Sequence, residues 1–133
     1  MIPVGLEGVT VLADDVATLA AFFQHGMGFE VAVREDHYVA FATPGVRLAI
    51  FERSGMAANT GDHPTFRGPR GAQAFELNFE CASADDVQAA FDRAVAAGGT
   101  PITAPFRTEW GHLTGFVADP EGNIHSLFAV LPD

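Results

Sequence analysis

The sequence predicts an α+β protein built from two copies of one βαβββ plan. Two observations predict it. Each half opens with a strand-like apolar run, follows it with a segment of helical periodicity, and then gives three short apolar runs. The turn Pro44-Gly45-Val46-Arg47 in the first half also matches Glu121-Gly122-Asn123-Ile124 in the second, at similar spacing from the preceding helix. The length, 133 residues, suits one domain with module 1 over about 1–52, a linker loop over 53–72 and module 2 over about 73–133.

The elements follow in order. Residues 5–12, GLEGVTVL, read as a strand. Asp14 or Asp15 can cap a helix over 15–28, where Val16, Leu19, Ala20 and Phe23 recur at helical spacing and Gly26 and Gly28 stop it. Strands are expected over 29–35, 37–43 and 46–52. Residues 53–72 are polar and rich in Gly and Pro, which reads as a long loop. The plan then repeats. A strand over 74–81 leads to a helix over 84–99, with Ser83 at its start, Asp85 and Asp86 in its first turn, and Val87, Phe91 and Val95 on one face. Strands fill 100–106, 112–118 and 123–130, the last two joined by the turn Asp119-Pro120-Glu121-Gly122-Asn123.

Composition narrows the function classes. The formal charge is −10, with 17 acids against 7 bases, so phosphate backbones and anionic membrane surfaces are poor partners. No apolar run reaches the length of about 18 residues that crosses a bilayer. The N-terminus lacks the basic and apolar regions of a signal peptide. The one cysteine, Cys81, excludes a disulfide framework within the chain and fits a reducing cytoplasm; its apolar strand setting favours a core role over a nucleophilic one. Twelve Phe residues supply material for a core and for an apolar pocket.

In this order, the segments 15-DVATLAAFFQHGMGFE-30, 83-SADDVQAAFDRAVAAGGTPITAPF-106, 109-EWG-111 and 116-FVADPEGNIHSLF-128 resemble the vicinal oxygen chelate superfamily, the glyoxalases, extradiol dioxygenases and bleomycin-resistance proteins. The resemblance covers nearly the whole chain. It implies two βαβββ modules forming a half-open barrel with helices outside and a ligand cavity inside, in a protein that is commonly a homodimer. It also implies up to four metal ligands, one from each of four strands. Those positions fall here at Gly8, at Ala49 with Glu52 as a weaker candidate, at Glu76 and at Ser126. One carboxylate does not hold a catalytic transition metal. The resemblance therefore points to the family's metal-free branch, with no cofactor, no metal ligands and no catalytic residues. A one-residue shift would instead bring His125 to a ligand position.

Strand alternation assigns faces. Phe75, Leu77, Phe79 and Cys81 should pack under the helices, and Glu76, Asn78 and Glu80 should face the cavity or its mouth. Arg47, Ala49 and Phe51, and Ile124, Ser126 and Phe128, face inward by the same rule. The candidate ligand-binding set is Arg47, Phe51, Glu76, Asn78, Trp110, His112, Ser126 and Phe128. Polar groups in such a set orient a ligand and apolar walls hold it. Plainer roles stand beside these. Phe51 and Phe128 serve equally as core, Trp110 as a cap on the core edge, and Glu76 as an ion-pair partner of Arg47. The expected function is small-molecule binding, with an aromatic or cationic antibiotic as one ligand class. The alternatives are a metal-dependent lyase, isomerase or dioxygenase, general-base chemistry at Glu76, and a partner-binding module with a vestigial cavity.

Overall fold

The computed structural model describes residues 2–70 and 72–133. The chain forms two compact units. One combines the chain up to Ala20 with Phe29–Arg70, and the other combines Ala21–Gly28 with the chain that follows Gly71.

The first unit holds β1 (Gly8–Ala13), the start of α1 (Val16–Ala21), β2 (Val31–Arg34), β3 (Tyr38–Phe41), β4 (Arg47–Glu52) and α2 (Arg53–Asn59). Its sheet has the order β1-β4-β3-β2, with β1 parallel to β4 and the other pairs antiparallel. Asp15 caps α1. Its Oδ1 accepts from the Thr18 N–H at 3.0 Å and its Oδ2 from the Thr18 hydroxyl at 2.7 Å. Those two bonds hold the Asp15 carboxyl below its ordinary value. The buried strand positions Val39, Phe41, Leu48 and Ile50 form much of this unit's core.

The second unit begins with a π-helical turn, Phe22–Gly26, and continues with β5 (Asn78–Glu80), α3 (Ala84–Ala96), β6 (Thr100–Arg107), β7 (His112–Ala118) and β8 (Ile124–Val130). Its order, β5-β8-β7-β6, repeats the first sheet's order and strand directions. α3 contacts β6, β7, β8 and the π turn through its buried face, Val87, Phe91 and Ala94. Ala94 takes the place expected for Val95, which is half-buried. Phe22 and Phe23 are fully buried and pack edge to face at 5.5 Å. The duplicated βαβββ plan is therefore present, among the described residues, as two four-stranded mixed sheets with three α-helices.

Three expectations need correction. The helix expected over 15–28 is α1 followed by the π turn, and Gly28 ends it at φ +76°. The segment expected as an unbroken loop over 53–72 contains α2 and a 3-10 turn at Pro64–Phe66. Gly55 argued against a helix there, but it is the residue that fits. A Cβ at Gly55 would lie 2.6 Å from the Phe51 ring. Arg53 ties the segment down by donating to Asp14 at 3.2 Å and to the Gly68 carbonyl at 2.9 Å. The strand expected over 74–81 is regular only at Asn78–Glu80. Upstream, the Gln73 side-chain amide takes the place of a backbone pair: its Nε2 donates to the Ile124 carbonyl and its Oε1 accepts from the Ile124 N–H, both at 2.7 Å. The chain between is not regular strand, although the Leu77 carbonyl still accepts from the Ser126 N–H at 3.1 Å, and Phe75, expected under the helices, is 70% exposed.

Candidate ligand-binding site

The turn Asp119–Asn123 organises one end of the second sheet. Gly122 supplies φ +89°, which a side chain would strain. Asp119 is buried, and its Oδ1 accepts from the N–H groups of Glu121 at 2.9 Å and Asn123 at 3.0 Å. Its Oδ2 lies 2.7 Å from His125 Nε2. His125 Nδ1 accepts from the Leu77 N–H at 3.2 Å, so the ring proton sits on Nε2 and is donated to Asp119. His125 is 2% exposed, with its ring against Phe23 and Phe79. Both nitrogens are engaged, so His125 links the turn to the chain entering β5 and offers no free metal-binding lone pair.

The other face of the same strands carries a cavity of about 420 Å³. β8 presents Ser126 and Phe128 to it; the chain entering β5 presents Glu76, and β5 itself Asn78. β7 adds His112, Thr114 and Phe116, and the β6–β7 turn adds Trp110. That turn is built around Thr108, whose hydroxyl donates to the His112 carbonyl at 3.2 Å and accepts from the His112 N–H at 3.0 Å. Gly111, at φ +83°, completes it. Trp110, 66% exposed, is thereby held at the mouth.

The walls are aromatic. The His112 ring stacks on Phe128 with centroids 4.9 Å apart and planes 12° apart, and Trp110 meets His112 edge-on at 6.4 Å. Phe116 is backed by Phe106 at 6.5 Å. The polar groups differ in how far they are satisfied. Ser126 donates its hydroxyl proton to Asn78 Oδ1 at 2.6 Å. Glu76 is exposed and makes no ion pair among the described residues. Thr114 is 4% exposed, and its Oγ1 has no hydrogen-bond partner among the described residues.

Six of the eight candidate residues, Glu76, Asn78, Trp110, His112, Ser126 and Phe128, thus line one cavity. Arg47 and Phe51 belong to the first unit and have local partners there. Arg47 pairs with Glu7 at 2.7 Å and donates to the Tyr38 hydroxyl at 2.8 Å, so it is not the partner of Glu76. The hydrogen bond that Arg47 donates to the Glu7 carboxylate is the main cause that raises the Arg47 pKa. Phe51 lies against Gly55 and the Tyr38 ring at 6.4 Å. Thr114 and Phe116 were missed. Period-two alternation outward from His112 is the signal that finds them.

The metal positions implied by the resemblance can be tested against these residues. Gly8 has no donor side chain, and a Cβ there would already lie 2.9 Å from the Arg47 carbonyl oxygen. Ala49 is fully buried in β4. Glu52 accepts from Ser54 at 2.6 Å and pairs with His37, which together hold its carboxyl below the ordinary value. Ser126 is committed to Asn78. Among the described residues no three His, Cys, Asp or Glu converge on a metal-sized point. The cavity's own donors of that kind are Glu76 and His112, fewer than the three protein ligands of a catalytic zinc site. This donor set does not fit the metal.

A second cavity, about 410 Å³, lies where the end of β5 meets α3 and includes Cys81 and Arg93. Burial, followed by the nearby Asp86 carboxylate, pushes the Cys81 thiol up, away from nucleophilic character. Among the described residues no helix is long and apolar enough to cross a membrane.

Comparison with known proteins agrees with this architecture. The model of the Glyoxalase/Bleomycin resistance protein/Dioxygenase superfamily matches residues 5–126. A glyoxalase/bleomycin resistance protein/dioxygenase family enzyme from Burkholderia phytofirmans PsJN superposes with a TM-score of 0.86 at 25% identity, over 96% of this chain and 100% of its own. A glyoxalase-related enzyme from Fulvimarina pelagi gives 0.84 at 22% identity, over 94% and 87%. Lactoylglutathione lyase from Agrobacterium tumefaciens gives 0.69 at 19% identity, over 96% and 95%. No curated protein matches the chain. With the sheet order found twice and the family model spanning both copies, the chain belongs to the glyoxalase/bleomycin resistance protein/dioxygenase superfamily.

Proposed function

We propose that this chain is a metal-free small-molecule-binding protein, and that its ligand is a flat aromatic compound carrying a positive charge, as some antibiotics do. The observation that carries this reading is the cavity of the second unit. Its walls are the rings of Trp110, His112, Phe116 and Phe128, and Glu76 lies beside them with no ion-pair partner among the described residues. Rings stack on a planar ligand, and a carboxylate next to aromatic faces favours a cation. The net charge of −10 adds a long-range preference for the same sign of ligand. The volume, about 420 Å³, lies within the range of small-molecule sites. We further infer a cytoplasmic homodimer. A single cysteine suits a reducing compartment. Exposed Ile102, Phe106 and Val130 on the second unit supply apolar surface for a partner copy.

Thermal melting of chelator-treated protein tests the reading. A planar aromatic amine at 100 times its dissociation constant should stabilise the protein by roughly 2.7 kcal/mol, a rise of several degrees. Mn²⁺, Fe²⁺, Ni²⁺ and Zn²⁺ should each leave the melting temperature unchanged. A clear rise with one metal would move the chain to the metal-dependent lyases, isomerases or dioxygenases of its superfamily.

A further inference from the structure

We propose that Thr114 sets the ligand class of this cavity, by donating a hydrogen bond from its hydroxyl to a neutral acceptor on the edge of a planar heteroaromatic ring. The proposal rests on the reading of the cavity as a ligand site and adds the identity of the ligand's buried edge. Thr114 lines the cavity and is 4% exposed, and its Oγ1 finds no partner among the described residues. Buried hydroxyls are nearly always hydrogen-bonded, and an unsatisfied one is costly. Valine would fill the same space at no such cost. The hydroxyl oxygen is enclosed, so a partner that enters the cavity reaches it on rotation of the Thr114 side chain to another staggered position.

The neighbours define that partner. Thr114 is opposite Phe128 in the register between β7 and β8, and His112 and Phe116 flank it on the same face of β7. The three rings leave room for a flat molecule, and none of them accepts from the Thr114 hydroxyl. Ser126 has already given its proton to Asn78, so Thr114 is the hydroxyl donor still available on this face. A charged acceptor is disfavoured, because burying an anion against a single hydroxyl in an acidic protein is expensive. A ring nitrogen or carbonyl oxygen fits. The exposed Glu76 then receives the cationic substituent at the mouth, where solvation of both charges persists.

Matched probes test this. 1-Naphthalenemethylamine supplies the flat ring and the cation without an acceptor. The quinolinemethylamines supply the same shape with a nitrogen at each ring position in turn. Binding is measured by calorimetry to wild type, Thr114→Val and Thr114→Ser. At least one quinoline isomer should bind wild type about three- to ten-fold tighter than the naphthalene, the range of one net hydrogen bond. Thr114→Ser should keep that preference, and in Thr114→Val the ratio of quinoline to naphthalene affinity should fall to about one. Naphthalene binding with no quinoline preference, or a preference that survives in Thr114→Val, would overturn the role of Thr114 and leave the cavity as a ligand site. Failure of every probe to bind wild type would overturn both.

Discussion

The two sheets share one topology and treat equivalent positions in opposite ways. When β4 is aligned with β8 through their preceding turns, Arg47, Ala49 and Phe51 correspond to Ile124, Ser126 and Phe128. Strand register then sets Gly8 against Glu76, and Tyr38 against Thr114. In the first sheet the polar groups satisfy one another: the Tyr38 hydroxyl oxygen accepts a hydrogen bond from Arg47, and Arg47 is held by Glu7. In the second, the Thr114 hydroxyl has no partner among the described residues and Glu76 no cation. Duplication supplies the same frame twice. One copy has closed its polar network and the other has left it open, and an open network beside aromatic walls is what a ligand site requires.

The turns differ in the opposite sense, and mutating them gives the largest effect. Asp119 is buried and holds three groups, whereas Thr43 at the first sheet's turn bonds the Val46 carbonyl at 3.0 Å and the Leu48 N–H at 3.3 Å from a half-exposed position. Asp119→Ala should cost about 3–5 kcal/mol, because it strands buried donors together with His125. Thr43→Ala should cost about 1 kcal/mol. Urea unfolding of the two variants measures the gap. Equal costs would mean that the two turns carry equal weight and that the account of Asp119 is wrong.

A smaller effect, of opposite sign in the two sheets, comes from the hydroxyls themselves. Tyr38→Phe removes a bond from Arg47 and should destabilise by about 1 kcal/mol. Thr114→Val removes a hydroxyl with nothing to lose, and should leave stability unchanged or raise it by up to about 1 kcal/mol. Melting temperatures of the two variants would sharpen the comparison. A marked loss in Thr114→Val would mean that its hydroxyl is bonded in the folded protein.

Much of this comparison was legible in the residues. Period-two alternation placed the inward set on β8, and the family resemblance placed His112 near the cavity mouth. Glu76 and Asn78 followed from the same rule, although the regular strand there is only three residues long. The exposure of Phe75 was not legible, because it depends on a Gln73 side chain substituting for strand pairing with Ile124. Arg47 was assigned to the ligand on alternation alone; its pairing with Glu7, 40 residues away, is set by the parallel register of β1 and β4. His125 was placed on the correct face, but its double engagement with Asp119 and Leu77 needed coordinates. The helix at Arg53–Asn59 was hidden by Gly55, whose fit against Phe51 is a tertiary contact that composition does not carry.

Trp110 is the chain's only tryptophan, so its fluorescence reports directly on the cavity mouth. The decisive measurement is a titration of 1-naphthalenemethylamine in the presence of EDTA, read by Trp110 emission, on wild type and Glu76→Gln. The account predicts a saturable change in wild type and binding about two- to five-fold weaker in Glu76→Gln, the range of a solvent-exposed ion pair. No saturable change in EDTA, with binding restored by a divalent metal, would contradict it.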